Sequence, residues 1–173
     1  KYSTLKAKIS KTIDSLKNNG TITTASVYFQ DFKQNDWINC NDSEKFDPGS
    51  LLKVPLLIAY LKMEEDSPGI LDKEFVFNKP NSFGKSPVFL SKAIQLGNKY
   101  SVHQLLNYTI AYSDNNAYSL LCQHVSVPVW KKTFTDLGLP EPDWFSPTYP
   151  ITTKQYSVFM DALFNASYLS IKY

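Results

Sequence analysis

The sequence predicts a chain of mixed α and β structure in which helices dominate and strand is confined to one hairpin. Three observations carry that expectation. Apolar residues recur at three- and four-residue spacing in several segments separated by Gly, Pro and Asn breakers. Serine or threonine stands ahead of some of these segments, where helix caps are placed. Two short apolar runs joined by a polar turn, the pattern of a hairpin, occur once.

Leu5, Ile9, Ile13 and Leu16 repeat at helical spacing between lysines, so residues 3–18 read as an amphipathic helix ended at Asn19-Gly20. Ala25, Val27, Phe29 and Phe32 form a strand-like stretch, with Trp37-Ile38-Asn39-Cys40 as its partner across a turn at 33–36. Phe46-Asp47-Pro48-Gly49 is a turn-forming run. It precedes the apolar stretch Val54-Pro55-Leu56-Leu57-Ile58-Ala59-Tyr60-Leu61, which predicts a buried helix over about 50–63. Residues 64–85 are turn-rich, with Pro68-Gly69, Lys79-Pro80 and Phe83-Gly84 as breakers. A short helix is expected at 90–96, and Ser101-Val102-His103-Gln104 has the form of a capping box opening a helix through Thr109. Further helices are expected after Ser113, over 129–137 closed by Gly138, and from the Thr152 cap to about Asn165. Residues 139–149 contain three prolines and read as a loop.

A length of 173 residues with 43% hydrophobic content is enough for one or two compact units. A net charge of +2 without a block of like charge argues against nucleic acid as a partner. Lysine supplies all the positive charge, since the chain has no arginine, so a bound carboxylate must use lysine, hydroxyls or backbone N–H groups. The longest apolar run is too short to span a bilayer and contains Pro55. Cys40 and Cys122 lack metal-ligand spacing; a disulfide and two free buried thiols both remain open. His103 and His124 read as surface helix positions rather than as catalytic or metal-binding residues. One hairpin alone is a marginal sheet, and the last residues look like the beginning of another helix. The expectation is therefore that further strands, from a C-terminal segment of the same protein or from another chain, complete the sheet.

Two segments propose a chemistry. Ser50-Leu51-Leu52-Lys53 places a lysine one helical turn beyond a serine, on the same face. A serine hydroxyl at neutral pH needs a base beside it to act as a nucleophile, and a lysine amine serves if burial depresses its pKa. Ser113-Asp114-Asn115 adds a second hydroxyl, able to relay a proton, and an amide, able to hold a substrate carbonyl or the lysine itself. With 18 lysines in this chain, roughly two Ser-x-x-Lys matches are expected by chance. Three occur, at Ser3, Ser50 and Ser82, and only Ser50 lies between a turn and a buried helix, where N-terminal N–H groups favour negative charge. A helix-capping serine with a solvent-facing lysine is the competing reading of Ser50, as capping is of Ser113-Asp114-Asn115.

With these residues in place, the chain resembles the serine β-lactamases of the class A type, within the larger group of penicillin-recognising acyl-serine enzymes. The resemblance rests on Phe46-x-x-x-Ser50-x-x-Lys53-x-Pro55, on Ser86-Pro87-Val88, on Ser101-Val102-x-x-Leu105, on Ile110-x-x-Ser113-Asp114-Asn115-x-Ala117 and on Ile151-Thr152-Thr153. It implies an α/β plus all-α fold, with an antiparallel sheet domain incomplete in this chain and a helical domain. Residues 1–63 would hold the first part of the α/β domain and the nucleophile helix, 64–165 the helical domain, and 166–173 the start of the return. The implied activity is opening of β-lactam amides through a covalent acyl-serine, with no metal or organic cofactor. Ser50 would be the nucleophile, with its own N–H as one oxyanion donor. Lys53 would be a base and Ser113 the proton relay, with Asn115 and the Ser86 loop as substrate contacts. A penicillin-binding D-alanyl-D-alanine peptidase or esterase, acting on a peptidoglycan-like substrate, is the alternative on the same scaffold. A catalytically silent binding module is another. A periplasmic or secreted location, lipid-anchored or free, is also implied.

Two departures stand out. A Lys-Thr/Ser-Gly third motif has no counterpart in the sequence. The family's loop glutamate, which activates the deacylating water, has Glu141 as its only candidate, between Pro140 and Pro142 in a loop that reads as shortened.

Overall fold

The computed structural model describes residues 2–34, 36–81, 92–146 and 148–170. Helix α1 (Ser3–Asn18) runs along strand β2 of a hairpin made by β1 (Val27–Asp31) and β2 (Asp36–Cys40). The strands are antiparallel with Val27 opposite Cys40 and Asp31 opposite Asp36. Asp31 Oδ1 accepts the N–H groups of Lys33 and Gln34 and so shapes the turn. Of the expected apolar stripe on α1, only Ile13 is fully buried; Ile9 and Leu16 are half-buried and Leu5 is exposed.

The core is built around α2 (Lys53–Asp66), a helix apolar on nearly every face. It is entered through a 3₁₀ turn, Gly49–Leu52, instead of beginning at Ser50 as an α-helix. Pro55 is tolerated because it lies in the first turn, where backbone N–H groups have no intrahelical partner. Around α2 pack α3 (Val102–Ala111), α5 (Val127–Asp136) and α6 (Thr153–Phe164). One link from α2 to α4 (Asn115–Cys122) is the Tyr60 hydroxyl, which donates to the Leu121 carbonyl at 2.7 Å. Leu56, Leu105, Leu121, Phe134 and Phe159 are fully enclosed. Expected capping boxes are present at Ser101 with Gln104 and at Thr152 with Gln155.

Strand pairing goes beyond the one hairpin expected. A two-residue ladder joins β3 (Lys45–Phe46) to β6 (Ile151–Thr152), and a three-residue ladder joins β4 (Glu74–Val76) to β5 (Lys99–Ser101). Strands of two or three residues carry no readable alternation, and their partners lie far away in sequence. The expected helix at 90–96 is corrected within its described part, 92–96, which is not helical. Side-chain acceptors take its N–H groups: Ile94 donates to Asp114 Oδ2 and Gln95 to the Tyr100 hydroxyl. His124 lies just past the end of α4 instead of on a helix, its ring stacked on Phe75 with centroids 3.8 Å apart. Both cysteines are free thiols; Cys40 is buried and Cys122 half-buried. Burial pushes the Cys122 thiol up to about 11, partly opposed by a hydrogen bond with Tyr118.

Candidate active site

Ser50 lies in the 3₁₀ turn and Lys53 is the first residue of α2, so three residues of helical backbone bring the amine beneath the hydroxyl. Lys53 Nζ and Ser50 Oγ are 3.4 Å apart. The N-cap of α2 is Leu52, with no side-chain cap, so the Ser50 hydroxyl is not spent on capping. The turn is held from the other side by the Tyr156 hydroxyl of α6, which donates to the Leu51 carbonyl at 3.1 Å.

The second segment forms the link between α3 and α4. Ser113 has a positive φ of 54°, a left-handed conformation that a β-carbon disfavours. The tight reversal is held by the Asp114 N–H, which donates to the Tyr108 carbonyl at 3.1 Å. It turns the Ser113 carbonyl and hydroxyl toward Lys53, at 2.7 and 2.9 Å from Nζ. Ser113 Oγ lies 3.4 Å from Ser50 Oγ and donates toward it. Asn115 opens α4, and its Oδ1 accepts from Lys53 at 2.8 Å. The cap of α4 is Asp114, whose Oδ1 accepts the Asn116 N–H at 2.8 Å. Capping therefore belongs to the middle residue of the motif, while its two neighbours bind the lysine.

Lys53 is 5% exposed, and burial lowers its pKa from the ordinary lysine value, partly opposed by the charge of Asp114. Four acceptors surround Nζ: the Ser113 carbonyl at 2.7 Å, the Ser113 hydroxyl at 2.9 Å, Asn115 Oδ1 at 2.8 Å and the Ser50 hydroxyl at 3.4 Å.

The other expected site residues fall elsewhere. Glu141 forms an ion pair with Lys131 of α5 at 2.7 Å and is 57% exposed. Asp143, the loop's other carboxylate, accepts the Phe145 N–H at 2.9 Å. The loop itself packs on α5 through Trp144 on Trp130 and Tyr149 on Phe134. Ser86 lies outside the described residues. Asp114 is a residue that sequence reasoning passed over: it is 7% exposed and receives a second N–H, from Ile94 at 2.8 Å. A carboxylate within a Ser-Asp-Asn run was the available signal. Among the described residues, no group of His, Cys, Asp and Glu is arranged to hold a metal, and no helix is long and apolar enough to cross a membrane.

Solved structures with the same fold include a β-lactamase from Streptosporangium roseum (TM-score 0.74, 19% identity, 96% of this chain and 66% of that chain). A β-lactamase from Francisella tularensis superimposes with a TM-score of 0.70 at 21% identity, covering 92% of this chain and 64% of that one. A PBP-A variant, seen as an acyl-enzyme complex with penicillin G, gives 0.73 at 16% identity over 98% of this chain and 65% of that one. The chain thus spans less than two thirds of these relatives' lengths. No curated protein matches. The fold is β-lactamase-like, with a helical part and small antiparallel ladders in place of a full sheet. The sequence model of the Beta-lactamase enzyme family matches residues 4–170, and the chain belongs to that family.

Proposed function

We propose that the protein is a serine hydrolase of β-lactam amides that works through a covalent acyl-serine. The observation that carries this reading is the meeting of Ser50 Oγ, Lys53 Nζ and Ser113 Oγ within 3.4 Å around a buried amine. Ser50 Oγ attacks the lactam carbonyl carbon as its proton passes to the neutral Lys53 amine. The tetrahedral oxyanion faces the N–H of Ser50 at the helix entrance. The C–N bond then breaks, and the ring nitrogen takes the Ser113 hydroxyl proton, which the Lys53 ammonium replaces. The product is an ester on Ser50 with Lys53 neutral again. Water must then add to the ester to release the opened product. Asn115, held on Lys53, is placed to fix the amine and to offer its amide N–H to a substrate carbonyl.

One observation favours a second reading, in which the acyl-enzyme is long-lived, as suits a D-alanyl-D-alanine peptidase or esterase meeting a penicillin. Both carboxylates of the 139–149 loop are engaged elsewhere, Glu141 by Lys131 and Asp143 by the Phe145 N–H. Export from the cytoplasm and completion of the sheet by further strands belong to the same proposal.

Intact mass of the protein after mixing with penicillin G tests both readings. A transient or persistent adduct mapped to Ser50, absent in Ser50→Ala, is expected. Its lifetime separates hydrolase from trap, and no adduct with no turnover would mean a silent binding module.

A further inference from the structure

A cavity of about 400 Å³ lies against α4, on a different face from the one that serves Lys53. Asn115 and Tyr118 meet the lysine, whereas Asn116, Ser119, Leu120 and Gln123, at the spacing of one helix face, line the cavity. The facing wall is the end of β4 and the segment after it, residues 76–81. The two walls are tied at both ends of α4. The Asn81 N–H donates to Asn116 Oδ1 at 2.8 Å, and the rings of Phe75 and His124 stack 3.8 Å apart. The cavity is therefore preformed, as small-molecule sites usually are, and its size falls in their range.

Its lining selects a class of ligand. Asn78 and Gln123 bring carboxamides and Ser119 a hydroxyl, groups that both donate and accept. Phe77 and Leu120, 4% and 7% exposed, add an apolar patch. Among the described residues its ionisable groups are Lys79 and His124; no Asp or Glu lines it, so an ammonium group has no partner there. An added peptide strand would need free main-chain groups. The Phe77 N–H and carbonyl are already bonded to Asn98 and Gly97, at 2.9 and 2.8 Å. An N-acetylated sugar matches what remains: hydroxyls and an amide for the polar groups, a methyl and a ring C–H face for the apolar ones. We propose that this cavity binds one N-acetylhexosamine unit of a glycan, so that α4 carries a sugar-binding site on one face and meets the candidate active site with another.

The test is an amide NMR titration of the full chain with di-N-acetylchitobiose. Cellobiose, which has the same linkage and no amide, and N-acetyl-alanyl-alanine amide, a peptide probe, are titrated beside it. Saturable shifts at Asn78, Ser119 and Gln123 are expected with the acetylated sugar, and affinity about tenfold weaker with cellobiose for want of the amide contacts. Gln123→Ala, at an exposed position of the helix end, should weaken binding about two- to tenfold, the span for one hydrogen bond. Ser119→Trp should fill the cavity and abolish binding; if that variant does not fold, Gln123→Ala decides. The proposal is overturned by no saturable shift with the acetylated sugar, by equal affinity for cellobiose, or by unaltered binding in Gln123→Ala. A response at these residues to the peptide alone overturns it too, and makes the cavity a peptide site. Ser50 takes no part in this binding, so Ser50→Ala should bind the sugar as the wild type does. Failure here leaves the acyl-serine reading standing.

Discussion

Lys53 Nζ donates to Asn115 Oδ1 at 2.8 Å, joining the first residue of α2 to the first residue of α4. The bond crosses the floor of the candidate site and fixes one of the amine's protons. Asn115→Ala should slow acylation by about a hundredfold, the scale of losing a positioned contact. Asn115→Asp places an anion against the amine and favours its charged form. The rise of acylation rate with pH should then move to higher pH. Stopped-flow acylation across pH checks both, and an unmoved rise in Asn115→Asp would remove Lys53 from the role of base.

Lys53 itself carries the second prediction. Replacing it by alanine should slow acylation by about two to four orders of magnitude, the span for losing a general base. In the wild type, burial disfavours the ammonium, so the rate should rise and level at lower pH than an ordinary lysine would give. The linkage has a defined sign. The unfolded chain binds this proton more tightly, so stability rises with pH between the folded pKa and the ordinary lysine value. Lys53→Met should flatten that part of the stability–pH curve. A retained slope in the variant would assign it to another group.

Ser113 trades strain for position. Its left-handed backbone costs about 1 kcal/mol in a residue with a β-carbon. Ser113→Gly relieves that strain but adds roughly 0.5–1 kcal/mol of unfolded-chain entropy. The two nearly cancel, so the melting temperature should change little, while acylation falls for want of the hydroxyl. Ser113→Ala should lose the same activity and keep the strain. Thermal melts beside acylation rates separate the effects; a large loss of stability in Ser113→Gly would mean that the hydroxyl is structural.

Glu141 should be dispensable to the chemistry. It sits in a surface ion pair with Lys131, a type of contact worth under about 1 kcal/mol. Glu141→Gln should leave both formation and decay of the Ser50 adduct unchanged within about twofold, which is the behaviour of a typical surface substitution. Decay of the adduct slowed by tenfold or more would instead make Glu141 the base for water.

Much of the fold was determined by interactions within a few residues, and these are legible in the sequence. The stripe of Leu5, Ile9, Ile13 and Leu16 marks α1 to its ends, because helix boundaries follow local caps and breakers. Ser101 and Thr152 announce α3 and α6 through reciprocal bonds three residues away. The spacing from Ser50 to Lys53 is one helical turn, so that contact too is local. Only the tertiary structure decided that Ser113 and Asn115 reach the same amine, across about sixty residues of chain. It also decided what sequence patterning misplaced. Ile94 and Gln95 give their N–H groups to Asp114 and Tyr100 rather than to a helix. The ladders of β3 with β6 and β4 with β5 are too short for any alternation to show. A carboxylate or an N–H group carries no mark of its partner until packing puts one within hydrogen-bond reach.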